Sequence, residues 1–445
     1  AQPIDEDGNV GEVVWSSAVQ LDLVTFDERE IMTWDPDLAT GIPFRAASLT
    51  DPQRAVFINS STTDPIEQNL EVLQRVNYLR GDNSNERPAG NFRERPVIEG
   101  RMGDVVHSAP TFIDGPSRLG RDAEPYPQNA NVYSIFRNAH VHRQSIVYSA
   151  ANDGMLHGFS AVNGDEEFAY LPNNLMLGAY SRRITELLDF SYEHKYFIDL
   201  TPAANDVFIN VDGDGSGDEE WASILVGGHG AGGKAYFALN ITDPTKFAEG
   251  TADEVVLWEF TDDDDSYPTE SSGPSIGQPL EDADGNTRLD QLSPKKPVKD
   301  LGYTFSVPTL TMSNLTGAGP LGTDHKWISI FGNGYNSTSG IAKLFVLFID
   351  AGIDGTWCHP DMIYNEGITS PLSLPSECVG TQDFVKIDTT FGVQSGVPNG
   401  LGEPRAIDVD GNGTADFVYA GDFFGNFFRF DIREDDHTKW TTTKI

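Results

Sequence analysis

The residues best placed to do chemistry are oxygen donors at alternate positions in DVDGNGTAD, from Asp408 to Asp416. Asp408, Asp410 and Asn412 stand at positions 1, 3 and 5 of a cation-binding loop. Gly413 makes the turn at position 6, Thr414 offers its carbonyl at 7, and Asp416 falls at 9. A tight loop turns every second side chain inward, and hard oxygen donors on one centre suit Ca2+. Position 12 is Tyr419 where an EF-hand has a bidentate Glu, and no flanking helices are expected. The loop is therefore expected to bind calcium without being an EF-hand.

A second loop, NVDGDGSGD, has the same spacing: Asn210, Asp212 and Asp214 at 1, 3 and 5, Ser216 at 7 and Asp218 at 9. Its additional glycines loosen it. It reads as a second calcium loop, with a solvated hairpin tip as the alternative.

Other motifs carry less. GHGAGGKA (228–235) resembles a phosphate loop, but Ala235 replaces the Mg2+-ligating hydroxyl and a strand pattern follows where a helix is required. It reads as a turn. Arg80-Gly81-Asp82 is an integrin-type tripeptide, of a length that recurs by chance. His107, His157 and His229 lie near Asp or Ser residues and His140 and His142 alternate, but no nucleophile elbow or zinc spacing appears, so no catalytic residue is assigned and no enzymatic activity is expected. Cys358 and Cys378 are the two cysteines; they bracket a Pro-rich stretch without metal-ligand spacing. They read as a disulfide, which implies an oxidising compartment.

The elements that must position these loops are short strands. Thirty basic against 68 acidic residues give a net charge of −38, which excludes nucleic acid and anionic lipid as partners of the bulk surface. Forty-four Gly and 26 Pro favour turns, and no apolar run approaches the ~18 residues of a membrane span. A chain that begins with Ala and shows no signal peptide reads as a mature form or an excised piece. Residues 1–100 form a mixed segment with one predicted helix, DPIEQNLEVLQRVNYLR, whose Ile66, Leu70, Leu73 and Val76 fall at helical spacing.

From 101 to 445 a pattern repeats. A proline opens a strand at Pro110, Pro202, Pro308 and Pro404, at spacings of 92, 106 and 96 residues. A strand into a Gly-rich turn follows, then a strand ending in an acid or amide. The first two units add a further strand, EEFAYL and VVLWEF. Up to four antiparallel strands per unit, repeated, predict an all-β fold, a β-propeller with four recognisable blades. The last blade breaks off at KWTTTKI, so the ring is expected to be incomplete at the C-terminus. The acidic, Gly/Pro/Ser-rich stretch 261–297 reads as an insertion between blades.

With these residues in hand, the chain resembles the C-terminal half of the PilC/PilY-type type IV pilus biogenesis and tip adhesin family. The resemblance rests on VNYLRGD (76–82), GDVVHSAP (103–110), YSAANDGMLHGF (148–159), LVGGHGAGGKAYFALNITDP (225–244), LGYTFSVP (301–308), IFGNGYNSTSG (330–340) and AIDVDGNGTADFVYAGDFFGNFFRFD (406–431). It implies a quinoprotein-like propeller with one calcium site, mapping onto Asp408, Asp410, Asn412, Thr414 and Asp416. It also implies a protein of the pilus tip or outer surface, reached through the periplasm, that supports assembly, opposes retraction and mediates adhesion. Partners would be minor pilins or other pilus components, and a host or abiotic surface. The Asn210 loop departs from the family pattern, as an insertion, and the von Willebrand A-like region common in such proteins is not among these residues. Two readings compete. One is a quinoprotein dehydrogenase, since MLHGFSAVNGDEEFAYL echoes blades of that type; the other is a calcium-dependent surface adhesin without pili.

Overall fold

The computed structural model describes residues 2, 9, 11–59, 61–117, 122–178, 183–212, 219–267, 298–315, 327–359, 378 and 382–445. The first hundred residues hold more than the one predicted helix. They form α1 (Ser17–Leu23), β1 (Ile31–Asp35), β2 (Thr40–Pro43), α2 (Asp51–Val56) and α3 (Pro65–Arg80). Asp64 caps α3 by accepting from the Ile66 N–H, and Gly81 ends it at φ 119°. Its buried face is Val72, Val76, Tyr78 and Leu79, whereas Ile66, Leu70 and Leu73 are exposed. Helical spacing located the helix correctly. Three of the four residues at helical spacing point to solvent, because the neighbouring elements meet α3 along a different stripe.

The strands after residue 100 follow the repeat. In chain order they are β3 (Thr111–Ile113), β4 (Ile146–Ala150), β5 (Leu156–Ser160), β6 (Glu166–Tyr170), β7 (Ala203–Ile209), β8 (Glu220–Gly228), β9 (Ala235–Asn240) and β10 (Val256–Thr261). Then come β11 (Ser266–Tyr267), β12 (Val298–Lys299), β13 (Thr309–Met312), β14 (Trp327–Gly332), β15 (Lys343–Phe348), β16 (Phe384–Asp388), β17 (Arg405–Ile407), β18 (Phe417–Gly421), β19 (Phe427–Asp431) and β20 (Thr441–Lys444). Pro110, Pro202, Pro308 and Pro404 each directly precede a strand, where proline removes no ladder donor.

Sheet order is sequential. The sets β3-β4-β5-β6, β7-β8-β9-β10, β13-β14-β15-β16 and β17-β18-β19-β20 each form neighbouring strands of one sheet, in the up-and-down order of a propeller blade. The third and fourth sets gain strands the repeat did not reveal. KWTTTKI supplies a strand, since Thr441–Lys444 pairs with β19 as the fourth strand of its sheet. β1 joins the edge of β6 in parallel, so the first sheet has six strands, β2-β1-β6-β5-β4-β3.

Two compact units result. One comprises residues 1–122, 128–206 and 221–259; the other comprises 123–127, 207–220 and 260–445. The first packs Trp34, Tyr148, Phe168, Tyr170 and Phe237 into one core. The second packs Ile330, Leu344, Val346, Val418, Phe428 and Phe430. Every residue of β15 is buried, as expected for KLFVLF inside a sheet covered on both faces.

Cys358 and Cys378 form a disulfide with Cα atoms 5.2 Å apart. The bond closes a loop of 20 residues, a constraint of about 3 kcal/mol on the unfolded chain. Thiol labelling of denatured, unreduced protein should therefore find no free cysteine. Labelling of both residues would remove the argument for an oxidising compartment.

Candidate metal centre

The Asp408 loop joins β17 to β18 in the second unit. Its backbone is bent by positive φ at Gly411 (75°) and Gly413 (106°). That bend aims three consecutive N–H groups at one carboxylate: Gly411 and Asn412 donate to Asp408 Oδ1 at 2.6 and 3.2 Å, and Gly413 to Oδ2 at 2.8 Å. Asp416 is buried and accepts from the N–H groups of Val409 (2.7 Å) and Asp410 (3.4 Å). Its own N–H donates to Ile407 O, and its carbonyl accepts from Ile432, so the ladder fixes this residue at the mouth of the loop. Asp410 is exposed and accepts from Asn412 N at 3.0 Å.

The three carboxylates converge. One oxygen each of Asp408, Asp410 and Asp416 lie within 4.8 Å of one another. Two oxygens on a single calcium, each at 2.3–2.6 Å, can be no more than about 5 Å apart. The spacing thus fits one calcium, and the set is the hard, oxygen-only chemistry that ion takes. Asn412 Oδ1 lies 2.7 Å from Thr414 N and 2.6 Å from its hydroxyl, so the amide faces into the same turn.

Two residues outside the motif support it. Asn314 donates from Nδ2 to Ala415 O at 3.0 Å, and its Oδ1 lies 2.6 Å from the Thr414 hydroxyl. Tyr126 packs beneath Gly413, where an added Cβ would lie 2.6 Å from the ring. Neither was visible in the motif, since each is about a hundred residues or more away in sequence. Gly413→Ala should accordingly combine left-handed strain with a clash. Its expected cost is roughly 1–3 kcal/mol, with calcium affinity reduced at least tenfold by titration calorimetry.

Of the second candidate loop, Asn210 and Asp212 are described, with Asp212 N donating to Asn210 Oδ1 at 3.0 Å. Asp214, Ser216 and Asp218 lie outside the described residues, as does most of 261–297. Nearby, the Glu220 carboxyl is pushed up, first by partial burial and then by the Asp212 charge.

The remaining candidates take structural places. GHGAGGKA runs through a short 3-10 turn, Gly230–Gly232, straight into β9, with no helix after it. Arg80 is buried, giving its guanidinium to Glu249 Oε1 (2.5 Å) and to the carbonyls of Phe26, Arg29 and Phe44. The Arg-Gly-Asp tripeptide therefore does not present its arginine. His157 is fully buried between Glu166 Oε1 (2.7 Å) and Asp153 Oδ2 (3.1 Å), and Arg29 clamps Glu166 at 2.6 and 2.8 Å. Burial alone would lower the His157 pKa, but the carboxylates of Asp153 and Glu166 outweigh it and raise it to about 9. Glu166 moves the other way: burial opposes its charge, yet Arg29 and His157 hold it at about 2. This cluster is a charge-balanced tie between β5, β6 and the segment before β1.

The model of the PilY1 β-propeller domain matches residues 102–376 and 379–442, which is most of the chain and includes the Asp408 loop. The chain belongs to this family. Its four sets of sequential antiparallel strands are therefore propeller blades, as the repeat predicted. A PilY1 type IV pilus biogenesis factor of Pseudomonas aeruginosa (strain UCBPP-PA14) is 29% identical over 401 residues, 88% of this chain and 26% of that protein. That of strain PAK is 30% identical over 361 residues, 80% of this chain and 22% of that protein. A PilY1 homolog of Xylella fastidiosa (strain Temecula1 / ATCC 700964) is 29% identical over 468 residues, 99% of this chain and 26% of that protein. The chain thus spans about a quarter of the length of these curated relatives. The crystal structure of the Pseudomonas aeruginosa PilY1 C-terminal domain matches 72% of this chain and 45% of that one, at 27% identity and a TM-score of 0.43. No helix among the described residues is long and apolar enough to cross a membrane.

Proposed function

We propose that this chain is the calcium-binding propeller region of a type IV pilus biogenesis factor. It acts by protein contacts, not by catalysis. The observation that carries the reading is the match to the PilY1 propeller family across residues 102–442, together with three carboxylates of one blade converging on a calcium-sized gap. Relatives carrying the name of type IV pilus biogenesis factor support a role in pilus assembly. The disulfide supports a location past the reducing cytoplasm, at the cell surface or pilus, with minor pilins or other pilus components as partners. Retraction control and surface adhesion are extensions of the same reading.

Asp408, Asp410 and Asp416 would hold the ion with Asn412 Oδ1 and the Thr414 carbonyl. Calcium supplies neutralisation of these facing carboxylates, and the chain supplies the rigid turn that aims them. The Asn210 loop is proposed as a second site, with Asp212, Asp214, Ser216 and Asp218. Elemental analysis of dialysed protein should give about two calcium ions per chain, one of them lost in Asp214→Ala. A stoichiometry of one that survives this change would remove the second site. The pilus role is tested by shearing pili from cells: the full-length protein should co-purify with them in calcium and be depleted by chelator. A protein absent from sheared pili under both conditions would overturn the assignment.

A further inference from the structure

The Asp408 loop is met from the side by the preceding sheet. Ala415 N donates to Met312 O at 2.8 Å, and Met312 and Thr414 pair in a parallel bridge, so the end of β13 runs beside the loop. Two residues further on, Asn314 turns its amide to the same stretch. Its Nδ2 donates to Ala415 O at 3.0 Å, and its Oδ1 lies 2.6 Å from the Thr414 hydroxyl. The Ala415 carbonyl can only accept, so it decides which end of the amide faces it and leaves Oδ1 to Thr414.

The Thr414 hydroxyl has one proton and two acceptors. It lies 2.6 Å from Asn412 Oδ1 and 2.6 Å from Asn314 Oδ1, and a single O–H serves one of them at a time. Thr414 is 3% exposed, so bulk water is no third choice. Asn412 Oδ1 has two lone pairs. The Thr414 N–H, at 2.7 Å, takes one of them from a backbone position that cannot rotate away. The other is left to the Thr414 hydroxyl or to a cation. For Asn412 to ligate calcium, the hydroxyl must turn elsewhere, and a buried hydroxyl that leaves one acceptor without gaining another loses a hydrogen bond. Asn314 Oδ1 is the acceptor within reach.

We infer that Asn314 is a positioning residue of the calcium site: it takes over the Thr414 hydroxyl and so releases a lone pair of Asn412 Oδ1 to the ion. Asn314 is not itself a ligand and acts through Thr414. It stands outside the Asp408–Asp416 motif, on the segment that follows β13. The inference rests on the reading of the Asp408 loop as a calcium site.

The test is titration calorimetry of the full-length protein with calcium chloride, on variants shown to be folded by circular dichroism. The binding followed is the one that Asp410→Asn weakens, which assigns it to this loop. Asn314→Leu keeps the volume of the side chain and removes the acceptor. It should weaken calcium binding about tenfold, the worth of one hydrogen bond given up without replacement. Asn314→Ala should act in the same direction, and it carries the test should the larger side chain not fold. Adding Thr414→Val to either variant removes the hydroxyl that competes for Asn412. The affinity should then return to within about threefold of wild type. A bracing role alone predicts the opposite, since lost packing is not repaired by losing a further contact. Wild-type affinity in both Asn314 variants, or double variants no tighter than the single ones, would overturn the inference and leave the calcium site standing. A wild-type protein with no calcium binding sensitive to Asp410→Asn would overturn both.

Discussion

Asp416→Ala should abolish the response of the protein to calcium. A ligand that binds only the ordered loop stabilises it by RT ln(1 + [L]/Kd), about 2.7 kcal/mol at a hundredfold excess over Kd. For a unit of roughly two hundred residues this corresponds to a melting shift of roughly 5–10 °C between calcium and chelator. The mutant should show none. Asp416 has a second duty, since it accepts the Val409 and Asp410 N–H groups whether or not an ion is bound. Its loss should therefore also lower stability in chelator, by about 1–3 kcal/mol for two donors left without their acceptor. Asp410→Asn separates the two duties. Asp410 is exposed, and an amide oxygen can still accept from the Asn412 N–H, so the substitution removes the charge and one solvent-exposed contact from Asn412 Nδ2. That variant should lose calcium affinity at least tenfold and melt like wild type in chelator. Cells carrying Asp416→Ala should lose calcium-dependent piliation or its retraction control. Identical melting of wild type in calcium and in chelator would show that the convergence of these carboxylates holds no calcium.

The largest purely structural effect is expected from His157→Leu. Protonated His157 and Arg29 balance Asp153 and Glu166, all enclosed except Asp153, whose side chain is 15% exposed, so removing the imidazolium leaves one carboxylate of the cluster without its counter-charge. Breaking a buried ion pair from one side typically costs about 3–5 kcal/mol. The pH dependence has a definite sign. The folded pKa, about 9, lies above the ordinary value of 6.5, so the His157 contribution is complete below pH 6.5 and is lost as pH rises through 9. Its size is about 3 kcal/mol by linkage. Glu166, held at about 2, reports the same contacts from the acid side, and its contribution is lost as pH falls toward that value. Urea midpoints measured from pH 6.5 to 9.5 should decline in wild type and stay flatter in His157→Leu. Parallel curves would mean that His157 is buried in its neutral form.

Much of this molecule could be read without coordinates, and the reason is local. Proline at a strand start, glycine in a turn and oxygen donors at every second position are constraints that act over a few residues. They located the four strands behind Pro110, Pro202, Pro308 and Pro404, the helix ending at Gly81, and the donor order from Asp408 to Asp416. What the sequence could not supply depends on partners far away in the chain. β20, TTTK, has no apolar signature, and β16, FVKID, lies beyond the repeat as read; pairing with β19 and β15 makes them the fourth strands of their sheets. Ile66, Leu70 and Leu73 match helical period, yet only tertiary packing chooses which stripe is covered, and it chose Val72 and Val76. An Arg-Gly-Asp tripeptide became a buried ion pair because Glu249, 169 residues on, meets Arg80. Asn314 and Tyr126 brace the Asp408 loop from about one hundred and nearly three hundred residues away. Local backbone preference fixed the elements and the donor spacing; long-range burial and charge pairing decided which faces, which charges and which supports each element received.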